Sequence, residues 1–199
     1  MTFRYRASVL LLVASLGTIV LAGPASASPA KTVPSNTWAT SICNVTNDWV
    51  AGYASGEQQV MTTLSGTNVA PADAKKAVDS FLATGTTATK QAVTALKKAG
   101  APNAKNGSKI AASLVTAFTT IQKNIASAKQ KIAALDSTKA EYDTQASAAL
   151  STLDTNIGKA LTKFSNYGKK NSDKALTKVL NTNKACSSSS TSGTTTTTG

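Results

Sequence analysis

The chain has 199 residues, 21 lysines and arginines against nine acidic residues, no histidine, and a formal net charge of +12. The lack of histidine excludes Ser-His-Asp and Cys-His catalytic units, and two cysteines alone cannot build the usual four-ligand zinc site. Both arginines precede residue 7, so the rest of the chain has no planar guanidinium for bidentate binding of phosphate or guanine. We therefore predict a protein that is not an enzyme, with no catalytic residues, metal ligands, cofactor or sequence-specific nucleic-acid binding.

Residues 1–27 have the pattern of a secretory signal peptide. Arg4 and Arg6 supply the positive start, residues 7–22 the apolar run, and residues 25–27 a small-residue cleavage site. The apolar run is shorter than the roughly 20 residues that a transmembrane helix requires, and no later segment is apolar enough. We therefore predict a protein that is secreted, extracellular or in the cell wall, with no transmembrane segment in the mature chain.

The lead-in at 28–36 contains two prolines and is predicted to be extended and exposed. Beyond it, apolar residues recur three, four or seven apart, which indicates a helix over about 38–64 with Thr37 as its N-cap. Gly52 and Gly56 weaken this helix, so either it bends there or a neighbouring helix packs close. Its apolar stripe consists of Trp38, Ile42, Val45, Trp49, Tyr53, Val60 and Leu64.

Two further helices with the same period are predicted over 72–99 and 109–135. Gly100 and Pro102 end the second helix, because neither residue favours its continuation. Ser108 is the predicted cap of the third helix, which has the cleanest amphipathic pattern in the chain. Its apolar stripe consists of Ile110, Leu114, Phe118, Ile121, Ile125, Ala128, Ile132 and Leu135.

A fourth helix is predicted over 139–166, with a short fifth helix behind it. Thr138 and Glu141 have the spacing of a capping box at the start of the fourth helix. Gly168 is predicted to end that helix, and Ser172 to cap the fifth. No segment alternates apolar and polar residues over a useful length, so we predict no sheet.

Residues 37–186 are predicted to form one all-α domain, an up-down-up-down four-helix bundle with a short C-terminal fifth helix. Four helices of ~40 Å with short connections favour that arrangement. Four passes return the chain to its starting end, where Cys186 can form a disulfide with Cys43; the alternative is two buried thiols. Residues 187–199 are nearly all Ser, Thr and Gly and are predicted to be a disordered tail, either glycosylated or a loose end.

The bundle hypothesis collects lysines at the disulfide end of the domain. Eleven lysines lie there against Asp48 and Asp173, a net charge of +9, whereas eight lysines and seven acids occupy the rest, a net charge of +1. One interpretation is a surface for an extracellular polyanion, such as an anionic cell-wall polymer or anionic lipid. The other is solubility together with favourable helix-dipole interactions. The candidate polyanion-binding residues are Lys97, Lys98, Lys105, Lys109, Lys169, Lys170, Lys174 and Lys178.

Two other functions are weighed against polyanion binding. Trp38, Trp49 and Tyr53 share one stripe and either line a pocket for a small apolar ligand or pack in the core. The pocket would make the protein a carrier, which is the second hypothesis. A carboxylate-only enzyme is third, because its best local candidates, Glu141 and Asp143, would point to different sides of a helix.

Several short segments of the chain occur together in a recognisable order. They are Trp38, Ile42, Cys43 and Trp49, residues 96–102, Asn106 with Gly107, residues 110–112, and residues 184–186. On these segments the chain resembles a loose group of small, Ala-rich secreted helical proteins from actinobacteria. The resemblance implies a helical, disulfide-linked protein of the envelope or the medium, and it carries over no catalytic residue.

Overall fold

The computed structural model describes residues 31–64 and 69–187, with only the backbone of Leu64. The predicted signal peptide and all but the first residue of the predicted tail lie outside these residues. Of the described residues, 84% are helical, in six helices with one short strand pair, which confirms the predicted helical class. The elements are β1 (Thr32–Val33), α1 (Ser35–Leu64), α2 (Pro71–Ala99), β2 (Ala101–Pro102), α3 (Gly107–Ala133), α4 (Tyr142–Asn171), α5 (Lys174–Thr182) and α6 (Lys184–Ser187).

The core lies between the four long helices, which are 27 to 30 residues in length. Helix α1 packs on α2, α2 on α3, and α3 on α4. Trp49 of α1 meets Phe118 of α3 edge-on, with ring centroids 5.2 Å apart, so the core also joins these two helices. The predicted stripe of α3 is buried from Ile110 to Ile132, whereas Leu135 lies beyond the helix and is half-buried.

The glycines of α1 and α2 let these helices approach each other. Both helices are continuous, so the close-packing alternative is the one that the structure supports. A Cβ on Gly52 would lie 3.3 Å from Ala88, and one on Gly56 would lie 3.1 Å from the Phe81 ring. Gly85 similarly makes room for the ring of Tyr53.

The prediction of no sheet is wrong at one point. β1 and β2 pair in parallel, with Thr32 opposite Ala101 and Val33 opposite Pro102. Part of the predicted exposed lead-in is therefore bound to the fold, and α1 already begins at Ser35. A pair of two-residue strands is too short to show an alternating pattern of apolar and polar residues. It forms because Gly100 ends α2 and leaves the backbone of Ala101 and Pro102 free to pair with β1.

Three predicted helix starts differ from those observed. Thr37 lies inside α1. Ser108 lies inside α3, which begins at Gly107. The residue before it, Asn106, is the N-cap, and its backbone is in the left-handed region (φ 59°). The predicted capping box does not form, because the amide and hydroxyl of Thr138 donate to the carboxylate of Asp136 instead. That turn takes three more residues, and α4 begins only at Tyr142.

The C-terminal helices also differ from the prediction in their ends. Gly168 does not stop α4, which continues to Asn171. The N-cap of α5 is Asp173 instead of Ser172, and its carboxylate accepts a 2.7 Å hydrogen bond from the amide of Leu176. Of two neighbouring residues that could cap, the aspartate is preferred because its second oxygen also accepts from the Lys105 amide at 3.1 Å.

The predicted disulfide is confirmed. Cys43 and Cys186 are joined, with their Cα atoms 5.0 Å apart and 143 residues of sequence separation. The bond connects α6 to the third turn of α1. A 2.9 Å hydrogen bond from the Asn47 side-chain amide to the Ala185 carbonyl strengthens the same contact.

Candidate polyanion-binding surface

The three aromatic side chains proposed for a pocket contact the protein core. Trp38 is 1% exposed and its indole N–H donates to the Gly100 carbonyl at 3.2 Å. The Trp49 indole N–H donates to the Thr89 hydroxyl at 2.9 Å, and its ring lies 5.7 Å from that of Tyr53. These contacts assign the aromatics to packing between helices, and the carrier function stays a prediction that no contact here favours.

We expect Thr89→Val to destabilise the protein by about 1–3 kcal/mol. Thr89 is fully buried, and valine would leave the Trp49 N–H without an acceptor inside the core. Thr89→Ser is the control, because it keeps the hydroxyl and removes only a methyl group. Chemical denaturation of both variants measures the difference; a valine variant more stable than the serine variant would contradict the role of this hydrogen bond.

Helix α5 extends across one end of the long helices. At its start, the Asp173 carboxylate holds the backbone before α3, and the side-chain amide of Asn106 donates to the Asn171 carbonyl at 3.1 Å. At its end, the buried amide of Asn183 donates to side-chain oxygens of Asn36 and Thr40 at 2.9 Å. The first turn of α1 and the adjoining ends of α3, α4 and α5 therefore form one connected surface.

The inner side of α5 is apolar and its outer side is charged. Leu176 is fully buried beneath the helix. Val179 and Leu180 are half-buried beside it, whereas Lys174 and Lys178 are exposed. The four-residue spacing of the two lysines places both on the outer side.

The lysines around this end are all exposed. They lie directly before β1, in the last turn of α2, directly before α3 and at its start, in the last three turns of α4, and in α5 and α6. We call this set the lysine pole: Lys31, Lys97, Lys98, Lys105, Lys109, Lys163, Lys169, Lys170, Lys174, Lys178 and Lys184.

The charge of the lysine pole is not neutralised by ion pairs. In residues 31–64 and 69–187, the ion pair within 4 Å is Lys75 with Asp79, at 3.6 Å, far from the pole. Lys75 also donates to the Ile132 carbonyl, so this lysine serves packing between α2 and α3. Of the two acids assigned to this end, Asp48 and Asp173, the second has its pKa lowered by hydrogen bonds from the backbone amides of Leu176 and Lys105. The negative charge of the Asp173 carboxylate is therefore stabilised by these two backbone amides.

Helix-dipole complementarity accounts for only part of the lysine pole. Lys97 and Lys98 lie in the last turn of α2, and Lys169 and Lys170 in the last turn of α4, where positive charge is favourable. Three others lie at helix N-termini, where positive charge costs about 0.3–1 kcal/mol each. These are Lys105 before α3, Lys109 in its first turn, and Lys174 at the first position of α5.

Two carboxylates that the sequence did not indicate as a pair, Glu57 of α1 and Asp154 of α4, repel each other electrostatically in the fold. Glu57 is half-buried, and this burial raises the pKa of its carboxyl group above the ordinary 4.5; the neighbouring charge of Asp154 raises it further. The two residues are 97 positions apart, so no local pattern signals their proximity. Glu141 and Asp143, the earlier candidates, are both exposed.

We expect Glu57→Gln to raise the melting temperature at pH 7. The folded state holds the Glu57 proton more tightly than the unfolded chain, so stability falls as the pH rises from 4.5 through the raised pKa. Melting curves against pH should show the gain of the variant shrinking towards pH 4.5. Asp154→Asn should give a smaller gain, and a glutamine variant that melts lower at pH 7 would refute the interpretation.

Within the described residues, no three His, Cys, Asp or Glu side chains are grouped so that they could hold a metal ion. In the same part of the chain, no helix combines the length and the apolar character needed to cross a membrane. Comparison of the chain with protein families, with curated proteins and with solved structures gave no match.

Proposed function

We propose that this is a non-enzymatic protein of the cell envelope or the medium that attaches to an extracellular polyanion through the lysine pole. In this proposal residues 1–27 are a signal peptide that is removed on export. The four long helices form an up-down-up-down bundle that carries the pole at one end. The Cys43–Cys186 disulfide supports a location in an oxidising compartment, since disulfides persist mainly outside the cytoplasm. The resemblance to small secreted helical proteins of actinobacteria agrees with this location.

One observation carries the proposal: several lysines of the pole lie at helix N-termini, where the helix dipole disfavours positive charge. Lys109 and Lys174 lie in the first turns of α3 and α5, and no acid within 4 Å of them is described. Solubility alone would be served by lysines anywhere on the surface, yet eleven of 19 are at this end. Because lysine is a compact, flexible charge, the binding it supports is diffuse and sensitive to salt.

Chromatography on phosphocellulose tests the proposal with two variants of equal net charge. The pole variant replaces Lys105, Lys109, Lys174 and Lys178 with glutamine, and the control variant replaces Lys123, Lys129, Lys131 and Lys139. We expect the parent and the control to be retained at physiological salt and the pole variant to elute at clearly lower salt. Elution of the parent in the void volume, or equal shifts of the two variants, would overturn the proposal.

A further inference from the structure

The end of the molecule that carries the lysine pole is covered by α5. This helix of nine residues is ~14 Å long and lies between its anchor at Asp173 and its anchor at Asn183. Leu176 fills the space beneath it. The outer side of the helix therefore forms part of the end surface.

We propose that the protein docks end-on, through α5 and the surrounding lysine pole, on the surface of an anionic lipid bilayer. The inference rests on the proposed function and names its partner. Lysines next to β1 and on α2, α3, α4, α5 and α6 surround this end instead of following one helix. A flat, uniformly charged bilayer surface can contact all of these lysines at the same time. A single linear polymer can contact only those lysines that lie along its own path.

The chemistry of α5 restricts the docking to the lipid headgroups. Its exposed residues are polar, charged or small, and its larger apolar residues are directed into the fold. The large hydrophobic residues exposed in the described ranges, Val50 and Met61, both belong to α1. Attachment is therefore electrostatic, and it is released by salt.

Co-sedimentation of the purified protein with vesicles tests the inference. The vesicles are phosphatidylcholine with about 30% phosphatidylglycerol, or phosphatidylcholine alone, and soluble polyphosphate is tested in parallel. The charge-reversal variant is Lys174→Glu with Lys178→Glu; its control, of equal charge, is Lys123→Glu with Lys129→Glu in α3. All four lysines are exposed, so both variants are expected to fold.

We expect salt-sensitive binding of the parent and the control to the anionic vesicles only. The charge-reversal variant should bind at least about 30-fold more weakly, because each lysine at an anionic leaflet contributes about fivefold and each introduced glutamate adds repulsion. Binding to polyphosphate without binding to vesicles would overturn the lipid partner and leave the proposed function standing. Binding to neither would overturn both, and equal losses in the two variants would overturn the end-on orientation.

Discussion

Replacing Cys43 and Cys186 together with serine is expected to lower the free energy of unfolding by about 3–5 kcal/mol. The bond closes a loop across 143 residues of separation, so its loss greatly increases the entropy of the unfolded chain. It also holds α6, a helix of only four residues, against α1. This loss is a large part of the total stability of a single domain.

Reduction of the parent protein provides the matched control for the serine variant. Chemical denaturation of the reduced parent should coincide with that of the variant, and reductant should not affect the variant. Hydrogen exchange should increase most in α5 and α6, because the bond holds this part of the chain. Identical denaturation curves for the oxidised parent and the variant would show that the bond contributes nothing to stability.

Gly100→Ala should destabilise the protein by about 3 kcal/mol or more. Gly100 has φ 74° and ψ −146°, a conformation that only glycine adopts readily. A Cβ at this position would also collide with the Lys31 carbonyl oxygen, the acceptor that pairs β1 with β2. Alanine would therefore both strain the backbone and break the strand pair, on which Trp38 depends through the Gly100 carbonyl.

Gly158→Ala is the matched control for the glycine substitution. Gly158 lies inside α4, and a Cβ there meets nothing within 4 Å. Alanine at an open helical site should stabilise the protein by roughly 0.5–1 kcal/mol, because it lowers the entropy of the unfolded chain. Thermal melting should thus move in opposite directions for the two variants; a Gly100→Ala protein that melts with the parent would contradict the assigned backbone role.

The sequence predicts the helices well where their stripes are long and apolar. The spacing of Ile110, Leu114 and Phe118 is sufficient to predict α3, because burial of that face stabilises the helix regardless of how its ends are capped. The disulfide follows from an even cysteine count and from a chain that returns to its starting end. Neither inference requires knowledge of a distant contact.

The helix ends could not be predicted because they depend on residues far away in the chain. Asp173 caps α5 instead of Ser172 since it also binds the Lys105 amide, 68 positions away. The parallel strand pair joins segments that are separated by the whole of α1 and α2. The capping-box pattern at Thr138 is outcompeted by a shorter-range bond to Asp136.

The candidate surface also combines features that the sequence predicts with features that it does not. Charge count and helix order are enough to place lysines at one end, and exposure of each follows from its position outside the apolar stripes. The position of α5 across that end depends on the bonds of Asn183 to Asn36 and Thr40, which no local pattern reveals. The same holds for Glu57 and Asp154, which are brought together only by the packing of the long helices.

Acetylation of lysines, followed by peptide mass spectrometry with and without polyphosphate, tests polyanion binding by the lysine pole most directly. The account predicts slower labelling of Lys105, Lys109, Lys174 and Lys178 in the presence of the polyanion. Lys123, Lys129 and Lys139, which are also exposed but lie outside the pole, should be labelled at an unchanged rate. Uniform protection of all these lysines, or none at saturating polyphosphate, would contradict the account.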